Sequence, residues 1–113
     1  MESPIIRYYT IQKDKRSETI GFFKADCTLV GGYSFYAREF VKLEHKSFVR
    51  YMYAYHLQDR KKKMALRYDN VPHYPDLKNF PQHKHTVSGV ESSHAPKLAE
   101  VIKEIEILIE ENL

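Results

Sequence analysis

The first two thirds of the chain alternate apolar and polar residues with a period of two, which is typical of half-buried strands. In one such stretch the apolar face is formed by Phe23, Ala25, Cys27 and Leu29. The pattern predicts strands at about 5–13, 19–30, 33–43, 48–58 and 64–68. Short turns separate them, including Gly31-Gly32, which suits a tight hairpin. We therefore expect an antiparallel meander sheet of four to five strands, spanning about 5–68.

The period changes near the C-terminus, where apolar residues recur every three or four positions. They are Leu98, Val101, Ile102, Ile105, Leu108 and Ile109. This stripe predicts a helix over about 94–111, capped by Ser92 or Ser93, with Pro96 in its first turn. The stripe would cover one face of the sheet, although a partner-binding helix is an alternative. The prediction is an α+β fold, with residues 1–113 forming one domain.

Charge is unevenly distributed along the chain, whose formal net charge is +3. Residues 1–94 carry 16 Lys and Arg against 10 Asp and Glu, whereas residues 95–113 carry 2 against 5. A basic body suits a phosphate-bearing partner better than a membrane surface, although mild basicity is also common among small soluble proteins. Nine tyrosines and no tryptophan also favour a sheet.

Several classes of protein are excluded or disfavoured. Cys27 is the only cysteine, so an intrachain disulfide is impossible and a cysteine-rich zinc site is excluded. The start of the chain lacks the pattern of a signal peptide, and no apolar run approaches bilayer length. We therefore expect a cytoplasmic protein.

Residues 67–85 form the most informative segment, RYDNVPHYPDLKNFPQHKH. It holds three histidines, several charged residues and three prolines, and each proline restricts the backbone. A segment that only joined two elements would not need so many ionisable side chains. We predict a motif loop over about 67–90 that presents these groups rigidly, as a polar active site requires.

The histidines of this segment suggest acid–base chemistry. In an extended backbone, His83 and His85 project to the same side and Lys84 to the other. Two imidazoles could act as general acid and base on a phosphodiester, with Arg67 or Lys84 stabilising the charge on phosphorus. His73 or Asp69 would orient them. A neighbouring 2′-hydroxyl would be the nucleophile, so the scheme needs no metal or other cofactor.

Other readings of these residues remain open. His83, His85 and a third ligand such as His73 or Asp69 could bind a divalent metal, although no thiolate or HExxH helix supports this. The tyrosines of the fourth strand could be a half-buried face or a stacking platform for bases, with Tyr55 beside His56. Asp69 and Asn70 could form an Asx turn.

Two motifs and the helix after them resemble the TumE family, the toxin components of toxin–antitoxin systems. The motifs are YAYHLQD at 53–59 and LRYDNVPHYPDLKNFPQHKH at 66–85. The family's motif positions fall on Tyr55, His56, Arg67, Asp69, Asn70, Pro72, His73, Phe80, Pro81, His83, Lys84 and His85. This chain departs from the pattern at Tyr74 and Gln82, where the family has histidines, and at Leu57, where it has an aromatic residue.

The resemblance implies a small toxin of a type II system, encoded beside a DNA-binding antitoxin that neutralises it. Ribonuclease activity is our inference from the histidine chemistry. We predict catalytic roles for His83, His85, His73 and Asp69, and substrate binding by Arg67, Lys84, Tyr55, His56 and Asn70. The alternatives are a non-catalytic module that binds RNA or protein, and a His-ligated divalent-metal protein. An apolar sheet edge makes a homodimer plausible.

Overall fold

The structure is a computed structural model that describes residues 3–112. One seven-stranded antiparallel sheet runs in chain order, so each strand pairs with its neighbours along the sequence. The elements are β1 (Ile6–Lys15), β2 (Ile20–Leu29), β3 (Ser34–Glu44), β4 (Ser47–Gln58), β5 (Met64–Asp69), β6 (His83–Thr86), β7 (Gly89–Ser92) and α1 (Leu98–Glu111). A short 3₁₀ turn, Val30–Gly32, joins β2 to β3.

The predicted α+β architecture is confirmed, but the predicted number of strands is wrong. The sheet has seven strands, not four to five, because β6 and β7 come from the segment interpreted as a loop. Strand β6 reads His-Lys-His-Thr, so polar residues occupy both of its faces and no apolar alternation marks it. Lys84 points to the side of the sheet that the helix covers, where the other strands place apolar side chains, and the two imidazoles point to the opposite side.

The core lies between α1 and one face of the sheet. The helix contributes Val101, Ile105 and Ile109, which are all buried. The sheet contributes alternate residues of β2 to β5: Ala25, Cys27, Leu29, Phe35, Ala37, Tyr53, Tyr55, Leu57, Leu66 and Tyr68. We call this the helix face and the opposite side of the sheet the open face.

Ile105 tests this packing directly because only 1% of its surface is exposed. Ile105→Ala should lower the free energy of unfolding by about 2–5 kcal/mol, since it removes buried methylenes and leaves a cavity. Urea denaturation would measure the change. Ile107→Ala is the matched control, because 54% of Ile107 is exposed and its loss should cost less than about 0.5 kcal/mol. Equal effects in the two variants would contradict this placement of the helix.

The helix begins at Leu98, later than the predicted start near residue 94, and neither Ser92 nor Ser93 caps it. Ser92 instead ends β7. Pro96 disfavours helical backbone in the residue before it, and its carbonyl accepts a 2.7 Å hydrogen bond from Arg50. The Glu100 carboxylate accepts the backbone N–H of Lys97 at 3.0 Å and so closes the first turn.

Gly31 and Gly32 form the turn predicted for them. Both have positive φ, at 76° and 80°. Gly32 also needs to lack a side chain, because a Cβ there would lie 2.8 Å from the Cβ of Arg60 in the next turn along this end of the sheet.

The register of the meander places two rows of residues across the open face. Directly paired residues of adjacent strands point to the same side of a sheet. The first row is Asp26, Tyr36, His56, Arg67 and His85. The second row is Lys24, Arg38, Ala54, Asp69 and His83. The strand register thus aligns residues 26, 36, 56, 67 and 85, which are distant in sequence, in one row.

Two further predictions concern the surface of the fold. Within residues 3–112, no helix has the length and apolarity needed to cross a bilayer. The sheet is an open meander with β1 and β7 at its edges, and dimerisation through an edge stays a prediction.

Candidate active site on the open face of the sheet

Three neighbouring side chains at the β6 end of the first row, His56, Arg67 and His85, form the candidate site. Each comes from a different strand, β4, β5 and β6, in direct cross-strand pairing. The Nη1 atom of Arg67 donates to Nδ1 of His56 at 3.3 Å, since guanidinium groups only donate. The side chains of Arg67 and His85 keep 34% and 23% of their surface exposed. Two imidazoles therefore flank a cation that solvent can reach.

Asp69 connects this row to the protein interior. Its Oδ2 accepts from Nε of Arg67 at 2.8 Å and lies 3.7 Å from Nε2 of His85. Its Oδ1 lies 2.9 Å from Nε2 of His83 and accepts the backbone N–H of Val71 at 3.0 Å. Only 4% of the Asp69 side chain is exposed. This buried carboxylate fixes the positions of Arg67 and His83 and stabilises positive charge on His85.

His83 lies behind the row, with 2% of its side chain exposed. Its Nδ1 lies 3.0 Å from the carbonyl oxygen of Pro81, which can only accept, so Nδ1 carries a hydrogen. The ring is thus fixed by the carbonyl of Pro81 on one side and by the Asp69 carboxylate on the other.

The rings of His83 and His85 lie side by side, with centroids 4.9 Å apart, so the extended backbone does project them to the same side. Tyr74 packs its ring edge-on against both, with centroids at 4.9 Å and 5.8 Å. Tyr74 stands where the TumE pattern has a histidine, and here it covers the imidazole pair. Of the two histidines, His85 is the one that a substrate can approach.

Burial and neighbouring charges lower the pKa of both imidazoles in the row below the ordinary value of 6.5. For His56, burial is the main cause, followed by repulsion from Arg67 and His85. For His85, burial again comes first; Asp69 opposes it, while His83 and Arg67 add to it. Both rings are therefore mainly neutral at pH 7.

Tyr55 and Lys84, two of the predicted substrate-binding residues, lie on the helix face, away from the row. The Tyr55 hydroxyl hydrogen-bonds to Glu39 and accepts from Arg50 at 2.6 Å; burial and the Glu39 contact raise its pKa. Nζ of Lys84 donates to Glu104 of α1 at 2.7 Å. Burial acts to lower the pKa of Lys84, but Glu104 and Tyr68 raise it overall. Lys84 therefore ties the helix to the sheet, whereas the Tyr55 hydroxyl bonds to residues of β3 and β4.

Asn70 and His73 are not part of the row either. Oδ1 of Asn70 accepts the backbone N–H of Tyr53 at 3.1 Å, and its Nδ2 donates to the carbonyl of Tyr51 at 3.0 Å. It therefore anchors the segment after β5 to the backbone of β4. His73 is exposed, and its ring contacts Tyr74, at 6.4 Å between centroids.

Sequence reasoning missed Tyr36, Arg38 and Ala54, which border the site. With His56 and Arg67 they line a shallow cavity of about 250 Å³ on the open face. The signal was available in β3, because Tyr36 and Arg38 alternate with the apolar Phe35 and Ala37 and so face the other way.

A divalent metal is the alternative that this site must be tested against. Donor atoms of Asp69, His83 and His85 all lie within 4.8 Å of one another, which makes them the group of the described residues that could hold a metal ion. The carboxylate of Asp69 is, however, already paired with Arg67. A second cation there would face the guanidinium at short range, so the donor set fits a metal poorly.

Comparison with known proteins gives one match. No curated protein and no solved structure matches the chain at a significant level. The family described as Toxin TumE matches residues 1–113, the whole chain. This confirms the resemblance carried by the two motifs, and the chain belongs to the TumE toxin family.

Proposed function

We propose that the protein is a toxin that cleaves RNA without a metal, using His56 and His85 on either side of Arg67. The observation that supports this most directly is the row itself, in which two mainly neutral imidazoles flank an accessible guanidinium. Adjacent strands lie about 4.8 Å apart, so the three backbones span roughly 10 Å, enough for a phosphate between the rings. His83 takes a positioning role in this proposal, because it is buried.

The roles follow from the neighbouring charges. Arg67 disfavours a charged His56, so His56 is the general base. When Arg67 turns its Nη1 hydrogen bond from Nδ1 of His56 to the phosphate, the Nδ1 lone pair takes the proton of the ribose 2′-hydroxyl. The 2′-oxygen attacks phosphorus and the bond to the 5′-oxygen breaks. His85, whose charged form Asp69 stabilises, gives its proton to that leaving oxygen. Arg67 stabilises the charge on the non-bridging oxygens. The products are a 2′,3′-cyclic phosphate and a 5′-hydroxyl.

The test is cleavage of a single-stranded RNA by the purified, untagged protein in EDTA, with the new termini identified by mass spectrometry. The proposal expects cleavage that survives chelation and yields cyclic phosphate ends. Activity that disappears with EDTA and returns with Zn²⁺ or Mn²⁺ would instead establish the metal alternative. RNA binding without cleavage would favour the non-catalytic module.

The pH profile gives an independent prediction. His56 faces Tyr36 from β3 and Arg67 from β5, with His85 beyond. His85 faces Arg67 and Asp69 from β5, His83 on its own strand and Tyr74 from the loop, while β7 offers only Val90. Since the base must be neutral and the acid protonated, activity peaks between their two pKa values. Both values lie below 6.5, so kcat/KM should be maximal below pH 6.5.

Arg67→Gln tests whether Arg67 lowers the pKa of both His56 and His85. Removing the guanidinium takes a positive neighbour from both imidazoles, so both limbs of the kcat/KM profile should move to higher pH while the maximum rate falls. Stopped assays between pH 4.5 and 8.5 at constant ionic strength would measure this. A wild-type maximum above pH 7, or limbs that stay in place in Arg67→Gln, would contradict the proposed roles.

Membership of the toxin family implies an antitoxin partner. That this partner is a DNA-binding protein encoded beside the toxin, and that the toxin acts on RNA in the cytoplasm, are parts of the proposal. Expression of the chain alone should arrest growth, and co-expression of the neighbouring small gene should relieve the arrest. Normal growth of cells that accumulate the folded protein alone would argue against a toxic ribonuclease.

A further inference from the structure

The open face has a second feature beside the row, the cavity lined by Tyr36, Arg38, Ala54, His56 and Arg67. Ala54 explains why the cavity exists. It lies in the second row between Arg38 on β3 and Asp69 on β5. Because its side chain is a single methyl group, the longer side chains around it form walls and Ala54 forms the floor.

The walls of the cavity are held in place before any ligand arrives. Nη1 of Arg38 lies 2.8 Å from Oδ1 of Asp26 and donates to the carbonyl of Ala37 at 2.8 Å. The guanidinium carbon of Arg38 lies 5.9 Å from the centre of the Tyr36 ring. The Tyr36 and His56 rings are tilted by 36°, with centroids 6.4 Å apart. Two aromatic rings and two guanidinium groups, those of Arg38 and Arg67, thus border one small depression.

We propose that this cavity is a nucleobase pocket, which receives one unpaired base of a single-stranded RNA. The proposal rests on the proposed function and names its substrate class. His56 and Arg67 belong both to the row and to the cavity wall, so a phosphate at Arg67 places the base of an adjoining nucleotide over Ala54. Aromatic and guanidinium faces bind bases by stacking, largely without regard to sequence.

The size of the cavity supports a base as the occupant. Its volume of about 250 Å³ falls just below the range of ~300–1,000 Å³ of pockets for drug-sized ligands. One planar ring system fits such a space. A base inside a duplex cannot enter, because its faces are stacked and its edge is paired. Cleavage should therefore require single-stranded RNA.

Ala54→Leu tests the pocket by filling its floor. Binding of uridine 3′-monophosphate and of inorganic phosphate would be followed by NMR in the wild type and in the variant. The nucleotide should bind the wild type more tightly than phosphate does, and Ala54→Leu should weaken its binding roughly 5- to 150-fold, the range of one lost stacking contact. Phosphate binding at Arg67 should not change. Equal nucleotide affinity in both proteins would overturn the proposal.

Two further variants test the pocket even if Ala54→Leu does not fold. Gln12→Leu is the matched control, since Gln12 pairs with Lys24 at the β1 end of the second row, three strands away from Ala54 on β4. It adds the same side chain to the open face and should leave nucleotide binding unchanged. Tyr36→Ala removes a wall without filling the cavity and should also weaken nucleotide binding. Unweakened binding in Tyr36→Ala would count against the pocket even if Ala54→Leu failed to fold.

The two proposals fail in different ways. If the protein binds the nucleotide in an Ala54-dependent manner but cleaves no RNA, the pocket proposal stands and the ribonuclease proposal fails. If wild type and folded Ala54→Leu cleave single-stranded RNA equally well, the ribonuclease proposal stands and the pocket proposal fails. Efficient cleavage of a fully paired duplex would also overturn the pocket.

Discussion

Replacing His85 with alanine is expected to reduce RNA cleavage by about 10²- to 10⁴-fold, the usual contribution of a positioned general acid. His85 is the imidazole of the 83–85 pair that substrate can reach, and Asp69 stabilises its protonated form. The loss should appear in kcat/KM for a single-stranded RNA, measured under single-turnover conditions. The thermal melting curve should change little, because His85 is only partly buried.

The control for this variant is His94→Ala. His94 is exposed and contacts only Glu100, at 3.6 Å, among the ion pairs of the described chain. It should keep wild-type activity, and so should His73→Ala, if the exposed His73 is outside the chemistry as its position indicates. Full activity in His85→Ala, with a normal melting curve, would remove the proposed mechanism. A loss in His73→Ala equal to that in His85→Ala would restore the role predicted for His73 from the sequence.

Asp69→Ala should have the largest effect on stability, about 3–5 kcal/mol, because it removes the buried carboxylate that pairs with Arg67 and contacts His83. Arg67 loses a 2.8 Å contact, His83 loses a 2.9 Å contact, and the backbone N–H of Val71 loses its acceptor. Urea denaturation at pH 7 would measure the change. RNA cleavage should fall as well, since neither Arg67 nor His85 would keep its position.

Asp76→Ala provides the comparison for Asp69→Ala. Asp76 lies in the same proline-rich segment but is exposed, so its loss should change the free energy of unfolding by less than about 0.5 kcal/mol. A similar small change for Asp69→Ala would show that the pairs around this carboxylate do not stabilise the fold. Asp69→Asn separates charge from shape, because the amide keeps the size of the carboxylate but carries no negative charge to pair with Arg67.

The part of the fold that sequence predicted well is the part with apolar alternation. Alternate apolar residues of β2 to β5 and the helix stripe are buried against each other, and β1 to β5 and α1 lie within a few residues of their predicted bounds. Strand β6 was not predicted because its buried residue is His83, which pairs with the buried Asp69 of β5. Polar groups that satisfy one another can fill an interior position, and a hydrophobic period cannot detect them.

The candidate site was predicted in part for the same physical reason. The i, i+2 spacing of His83 and His85 was enough to bring the two rings together. Grouping Tyr55 with His56 was not sound, because adjacent strand residues point to opposite faces. Tyr55 is buried under the helix and His56 lies on the open face. Tyr36 and Arg38 needed the pairing of β3 with β4, which no local motif contains.

The alternation within His83-Lys84-His85 makes this short stretch intolerant of insertions and deletions. Lys84 holds Glu104 of the helix on one side, while the two imidazoles meet Asp69 on the other. Losing or gaining one amino acid just before this tripeptide would turn each side chain through half a revolution. The ammonium group would then meet the carboxylate, and the imidazoles would meet the helix. A substitution here changes one side chain, whereas a shift by one place exchanges the two faces of the whole strand.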